Sequence, residues 1–149
     1  MAGGRIPPDD LLVAVYSIVI ERVQIGMFSE LVELTSGLDP SALTPGPARK
    51  GASARKLPGK RTPPTVTLKR NQTSDLTVFA WHRDAMARRS ARKDAELVMF
   101  DVQGRPLARY HLKSAWPVKV VVGEEQVGAG RMLTETVTIA CDDIDRVAP

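Results

Sequence analysis

Cysteine is almost absent. Cys141 is the single one in 149 residues, which excludes an internal disulfide and a multi-cysteine metal centre. It falls in the alternation Val137, Ile139, Cys141, so it reads as a buried strand thiol. Histidine is nearly as scarce: His82 and His111 stand far apart with no Glu or His at ligand spacing, and His82, beside Arg83, reads as a surface side chain. Long apolar runs are missing too. The longest, Leu11 to Ile20, stops at Glu21-Arg22, whereas a spanning helix needs ~20 residues. Its leader holds Asp9 and Asp10 and no small-residue cleavage site follows, so it does not read as a signal peptide. A cytoplasmic product without membrane insertion by this chain is expected.

Catalytic patterns are lacking as well. Gly46 to Gly51 has the glycine spacing of a phosphate loop, but Ala52 stands where the lysine belongs. No Ser or Cys sits in a nucleophile elbow. The acidic pairs Asp9-Asp10, Glu124-Glu125 and Asp142-Asp143 are adjacent residues on what read as flexible or terminal stretches; neighbouring strand positions point to opposite faces, so they make no two-carboxylate site. The expectation is no catalytic residue, no metal and no cofactor.

Acidic residues are scarce in one long segment. Positions 46 to 93 hold 13 of the 21 Lys and Arg against only Asp75 and Asp84, a net +11, which leaves −7 for the remainder. Such a distribution suits a basic nucleic-acid-binding module, or the pairing of one copy's basic segment with another copy's acids. Aromatics speak against the first. Only Phe79 and Trp81 lie in the basic stretch, and both read as core residues of a helix, so a base-stacking platform is missing.

The length suits one domain, 1–149. Leu12 to Val23 alternates as one long strand, Gly26 permits a turn or bulge, and Met27 to Thr35 reads as a second strand with helix as the alternative. From 39 to 64 the chain is dense in Pro, Gly and cations and reads as a long basic loop ordered by a partner. Thr65 to Lys69 follows as a short strand. Ser74 and Asp75 then offer caps for a helix to about Arg89, with Leu76, Phe79, Ala80 and Met86 on its apolar side and Trp81 anchoring it on the sheet. Glu96–Asp101 and Arg105–Leu112 read as a hairpin turning at Gln103-Gly104, with final strands at Val118–Val122 and Met132–Cys141. The fold class is mainly β, a sandwich or small barrel with one packed α-helix. Trp116, held by Ala115 and Pro117 between two strand-like runs, reads as a buried anchor.

Three segments in order, Leu57-Pro58-Gly59 leading to Thr65–Arg70, then Phe79-Ala80-Trp81, then Ala115-Trp116-Pro117 before Lys119, resemble the inner tail tube proteins of contractile phage tails and contractile injection systems, the T4-like tail tube and Hcp-like family. Gly26-Met27-Phe28-Ser29-Glu30, Gly37-Leu38 and Thr134–Ile139 extend the resemblance over most of the chain. It implies a structural subunit whose strands extend into a hexameric ring. The implied partners are further copies stacked head to tail, a surrounding sheath protein, baseplate and terminator proteins, and cargo protein or DNA in the lumen. The place it implies is the bacterial cytoplasm during assembly and the phage tail or injection particle when mature. Within it, Phe28, Trp81, Trp116 and Pro117 are expected structural anchors, and Lys50, Arg55, Lys56, Lys60 and Arg61 expected stacking contacts. A minor tube-initiating or baseplate protein, or a secreted type VI ring protein, is the alternative.

Overall fold

The computed structural model describes residues 12–38, 61–87 and 92–149. These form strands β1 (Val15–Ile20), β2 (Val23–Phe28), β3 (Glu30–Leu38) and β4 (Arg61–Asn71), helix α1 (Thr77–Ala87), then β5 (Lys93–Phe100), β6 (Pro106–Val127), β7 (Gly130–Ala140) and β8 (Asp143–Val147). The strands make one open antiparallel path, β2-β1-β5-β6-β7-β4-β3, with β8 also on β6. This is the mainly β, one-helix architecture expected from the sequence. The 22 residues of β6 join its halves: the first part pairs with β5 and β8, the second with β7. The bend between them has Ser114 at φ 50° and a register shift between Pro117 and Lys119. Ile18, Leu97 and Leu112 from one half share a core with Val66, Leu68, Val137 and Ile139 from the other, and α1 adds Val78, Trp81 and Ala85.

Several expectations need correction. The first strand ends at Ile20, because Glu21 (φ 51°) and Arg22 (φ 66°) form a two-residue hairpin turn to β2. Two positive φ values match the twist of the flanking strands, but Asn-Gly is the usual signature of such a turn and Glu-Arg carries none. Gly26 therefore lies inside β2, and the break comes at Ser29, whose N–H donates to the Lys69 carbonyl at 3.0 Å. Both segments on either side of it are strands, not a helix. β4 begins at Arg61, inside the stretch read as loop. Its prolines are tolerated because Pro63 and Pro64 sit at the register shift opposite Thr35–Gly37, and the Pro64 carbonyl accepts from the Cys141 N–H at 3.1 Å. Glu124 and Glu125 belong to β6, and Asp143 opens β8, so neither pair lies on a loose stretch.

The helix turns a different face to the core than its large apolar residues suggested. Val78, Trp81, His82 and Ala85 are buried at i, i+3, i+4 and i+7, whereas Leu76, Phe79, Ala80 and Met86 are exposed. Burying the indole outweighs burying any residue of the other stripe, and Ala85 lets the last turn approach closely. His82 follows as part of that face. It is a buried histidine, and its Nδ1 donates to the Pro117 carbonyl at 2.7 Å. Asp75 caps the helix: its Oδ1 accepts from the Thr77 N–H at 3.0 Å and from the Thr77 hydroxyl at 2.6 Å. Those bonds hold its carboxyl below the usual aspartate value.

Candidate assembly site

The family motifs meet around the seam between the two sheet halves. Gly26 faces α1 so closely that a Cβ there would lie 2.8 Å from Val78 Cγ2. Two residues on, Phe28 is buried with the Arg70 guanidinium 4.8 Å above its ring. Arg70 in turn donates through Nε (3.2 Å) and Nη2 (2.9 Å) to Glu135 Oε1, and both side chains are buried. This ion pair links directly opposed positions of β4 and β7. Sequence reasoning missed it, yet the signal was present: Arg70 is in phase with Val66 and Leu68, and Glu135 with Val137 and Ile139. Period-two counting puts one charge of each sign on the buried face.

At the bend of β6, Ala115 and Pro117 are buried and Trp116 between them is half-buried, with Arg92 lying 5.1 Å over its indole. Trp116 is thus less enclosed than expected, whereas Trp81 and Phe28 lie in the core cluster. Cys141 is 3% exposed, and burial, with Asp142 and Asp143 nearby, pushes its thiol up to about 11. At the β5–β6 turn, Asp101 Oδ1 accepts from the N–H groups of Gln103 and Arg105, both at 2.9 Å. The Arg105 bond leads these in holding its carboxyl below the ordinary range.

Of the expected stacking residues, Lys50, Arg55, Lys56 and Lys60 fall outside the described residues, and Arg61 opens β4 opposite Leu38. The charge segregation along the chain is partly cancelled within the subunit. Lys69 pairs with Glu125, Arg70 with Glu135, and Arg92 with Asp142 at 3.4 Å, each joining the basic segment to an acid of the remainder. Among the described residues, no group of three or more His, Cys, Asp and Glu side chains could hold a metal ion, and no helix is long and apolar enough to cross a membrane. Exposed apolar side chains include Leu76 (69%), just before α1, Phe79 (43%) and Met86 (68%) on it, and Val121, Val122, Val127, Met132 and Leu133 on the β6–β7 hairpin.

Such surfaces suit contacts with other chains. Against curated proteins the sequence finds no match. Among solved structures, the chain is similar to one in the sheath-tube complex in the extended state of the extracellular contractile injection system PVC (14% identity, TM-score 0.64, covering 95% of this chain and 94% of that one). It is similar to one in the PVC sheath/tube terminator in the extended state (17%, 0.64, 97% of each), and to Hcp1 from Flavobacterium johnsoniae (16%, 0.52, 91% and 96%). At these identities the likeness establishes the fold. Over residues 14–145 the sequence itself matches the family described as T4-like virus tail tube protein gp19, and the chain belongs to that family of structural tube proteins.

Proposed function

We propose that this chain is the repeating subunit of the inner tube of a contractile tail or injection particle, closing into six-membered rings that stack head to tail around a channel for protein or DNA. The family match over residues 14–145 carries this reading. The folds it resembles come from a sheath-tube complex, a tube terminator, a terminating cap and a baseplate, so sheath, terminator or cap, and baseplate proteins are the partners proposed besides further copies. Assembly in the bacterial cytoplasm, followed by residence in the particle, completes the proposal. The segment between Leu38 and Arg61 leaves and re-enters at paired positions of β3 and β4. Its cations, with Arg61, are proposed to reach the next ring. Heterologous contacts give this logic physical form, since one that closes by rotation makes a ring and one that does not makes a filament.

The second reading is a tube terminator, prompted by the likeness, over 97% of each chain, to a chain in the solved sheath/tube terminator structure. Negative-stain electron microscopy of the purified protein separates the two. Open-ended hollow tubes are expected of the repeating subunit, and single rings that never stack point to the terminator. Protein that stays monomeric at all concentrations refutes both.

A further inference from the structure

Two exposed surfaces of the described residues each set one charge among apolar side chains. The first is the core-side face of the β6–β7 hairpin. β4 stops pairing with β7 at Asn71–Thr134, so the far part of the hairpin is a two-stranded ribbon, a structure of marginal stability alone in water. Alternation carries the core face on along it: Val122 and Glu124 are in phase with Val120, which packs on the core, and Leu133, opposite Glu124, is in phase with Glu135 and Val137. Val122 and Leu133 are core-side residues left exposed. Glu124 stands beside both, its Oε2 accepting from Arg131 Nη1 at 3.1 Å, which leaves Oε1 for a second donor.

The second is the outer stripe of α1. Leu76, whose carbonyl accepts from the Ala80 N–H at 2.8 Å, is followed at i+3, i+7 and i+10 by Phe79, Arg83 and Met86, and all four are exposed. The helix turns Val78, Trp81, His82 and Ala85 inward instead. Arg83 forms no ion pair among the described residues, although it lies between Phe79 and Met86, and aromatic residues, Met and Arg are the types enriched where chains meet. The two surfaces are complementary in charge as well as apolar: an acid flanked by Val122 and Leu133 on one, a free cation flanked by Phe79 and Met86 on the other. Their widths agree too, since two paired strands and one helix each span about 10 Å.

We propose that the core-side face of this ribbon lies on the outer stripe of α1 of the next copy in the ring, with Val122 and Leu133 against Phe79 and Met86 and Glu124 against Arg83. The inference rests on the tube-subunit reading and adds to it a contact of sheet face on helix, made through side chains and using no backbone edge. The neighbour's helix supplies the cover that runs out where β4 ends. The contact joins two different surfaces of the same chain, so it is heterologous and repeats by rotation. Enclosed by four apolar side chains, the Glu124–Arg83 pair is shielded from water, where losing one partner costs far more than at an exposed site.

The test uses the full chain and reads ring formation by sedimentation and electron microscopy. Arg83→Glu and Glu124→Arg should each leave a subunit folded by circular dichroism, because both side chains are exposed, and should raise the concentration needed for rings by about tenfold or more. The double reversal should bring that concentration back towards wild type. In parallel, Phe79→Cys and Leu133→Cys proteins are mixed as subunits, assembled and treated with a short bismaleimide, with Cys141 buried and unlabelled. The mixture should give covalent dimers on a denaturing gel and neither variant alone should do so. Arg83→Glu protein that forms rings at the wild-type concentration, a double reversal that assembles no better than the single variants, or a mixture without dimers overturns this contact while the tube reading stands. A wild-type protein that never leaves the monomer overturns both.

Discussion

Gly26→Ala should loosen the seat of the helix. The added Cβ would lie 2.8 Å from Val78 Cγ2 and 3.2 Å from Phe28 Cε2, against an optimal carbon separation of roughly 3.5–4.0 Å. Val78 has little room to yield, because a β-branched side chain in a helix keeps essentially one χ1 rotamer and this one is buried. Overpacking of this kind costs about 1–3 kcal/mol, and the entropy gained by replacing a strand glycine offsets roughly 0.5–1 of it. The net loss of about 0.5–2 kcal/mol corresponds to a midpoint lowered by roughly 1–8 °C at this chain length. Thermal and urea unfolding of the unassembled subunit measure it. Pairing the change with Val78→Ala should show a coupling of 1 kcal/mol or more, since the second substitution removes the obstructing methyl. A Gly26→Ala subunit as stable as wild type, or strict additivity in the double variant, refutes the argument.

Removing one member of the buried ion pair with Glu135→Gln should cost about 3–5 kcal/mol in urea unfolding, whereas Arg70→Met with Glu135→Leu should be near neutral, because the lone charge and not the missing attraction does the damage. Cys141, raised from 9.0 to about 11, contributes stability fully present below pH 9 and lost as pH climbs through 11, because the unfolded thiol ionises first; wild type should lose up to roughly 3 kcal/mol relative to Cys141→Ala across that window. Trp116→Ala, at a half-buried site, should give soluble, folded subunit weakened by about 1–3 kcal/mol, less than a fully buried tryptophan would cost. Reversing Lys50, Arg55, Lys56, Lys60 and Arg61 to glutamate should leave the subunit folded and abolish long tubes in electron micrographs; unchanged tubes would show that these charges do not drive stacking.

Much of the fold was legible because alternation is a local property. Val66 and Leu68, Val137 and Ile139, and the β5–β6 hairpin each declare a buried face within a few residues. Turns were legible only where glycine marked them. Gln103-Gly104 was readable, with Gly104 at φ 80°, whereas Glu21-Arg22 adopts positive φ with side chains that carry no turn signal. The helix shows a different limit. Its two apolar stripes are both genuine, and periodicity alone gives no reason to bury the one with Trp81 and His82; the acceptor that satisfies His82, the Pro117 carbonyl, arrives from 35 residues away. β8 escaped notice because it is short, charged and recruited by the exposed edge of β6 at Arg109–Lys113, a partner defined only by the tertiary fold.

Charge shows most clearly why chain order and spatial order must be separated. Read linearly, a +11 segment and a −7 remainder suggest a dipole able to join one copy to the next. Antiparallel pairing brings the two parts together inside one subunit: β4 lies against β7, and Lys69 and Arg70 meet Glu125 and Glu135, while Arg92 meets Asp142. Cations spent in this way cannot steer stacking. The cations at positions 49–61 are the ones proposed for that task. Exposed pairs of this kind contribute only ~0.2–1 kcal/mol each and are screened over ~8 Å at physiological ionic strength. Stacking governed by them must therefore weaken with salt, whereas a ring contact resting mainly on apolar burial would persist. Salt is thus expected to shorten tubes into rings before it dissolves rings into subunits.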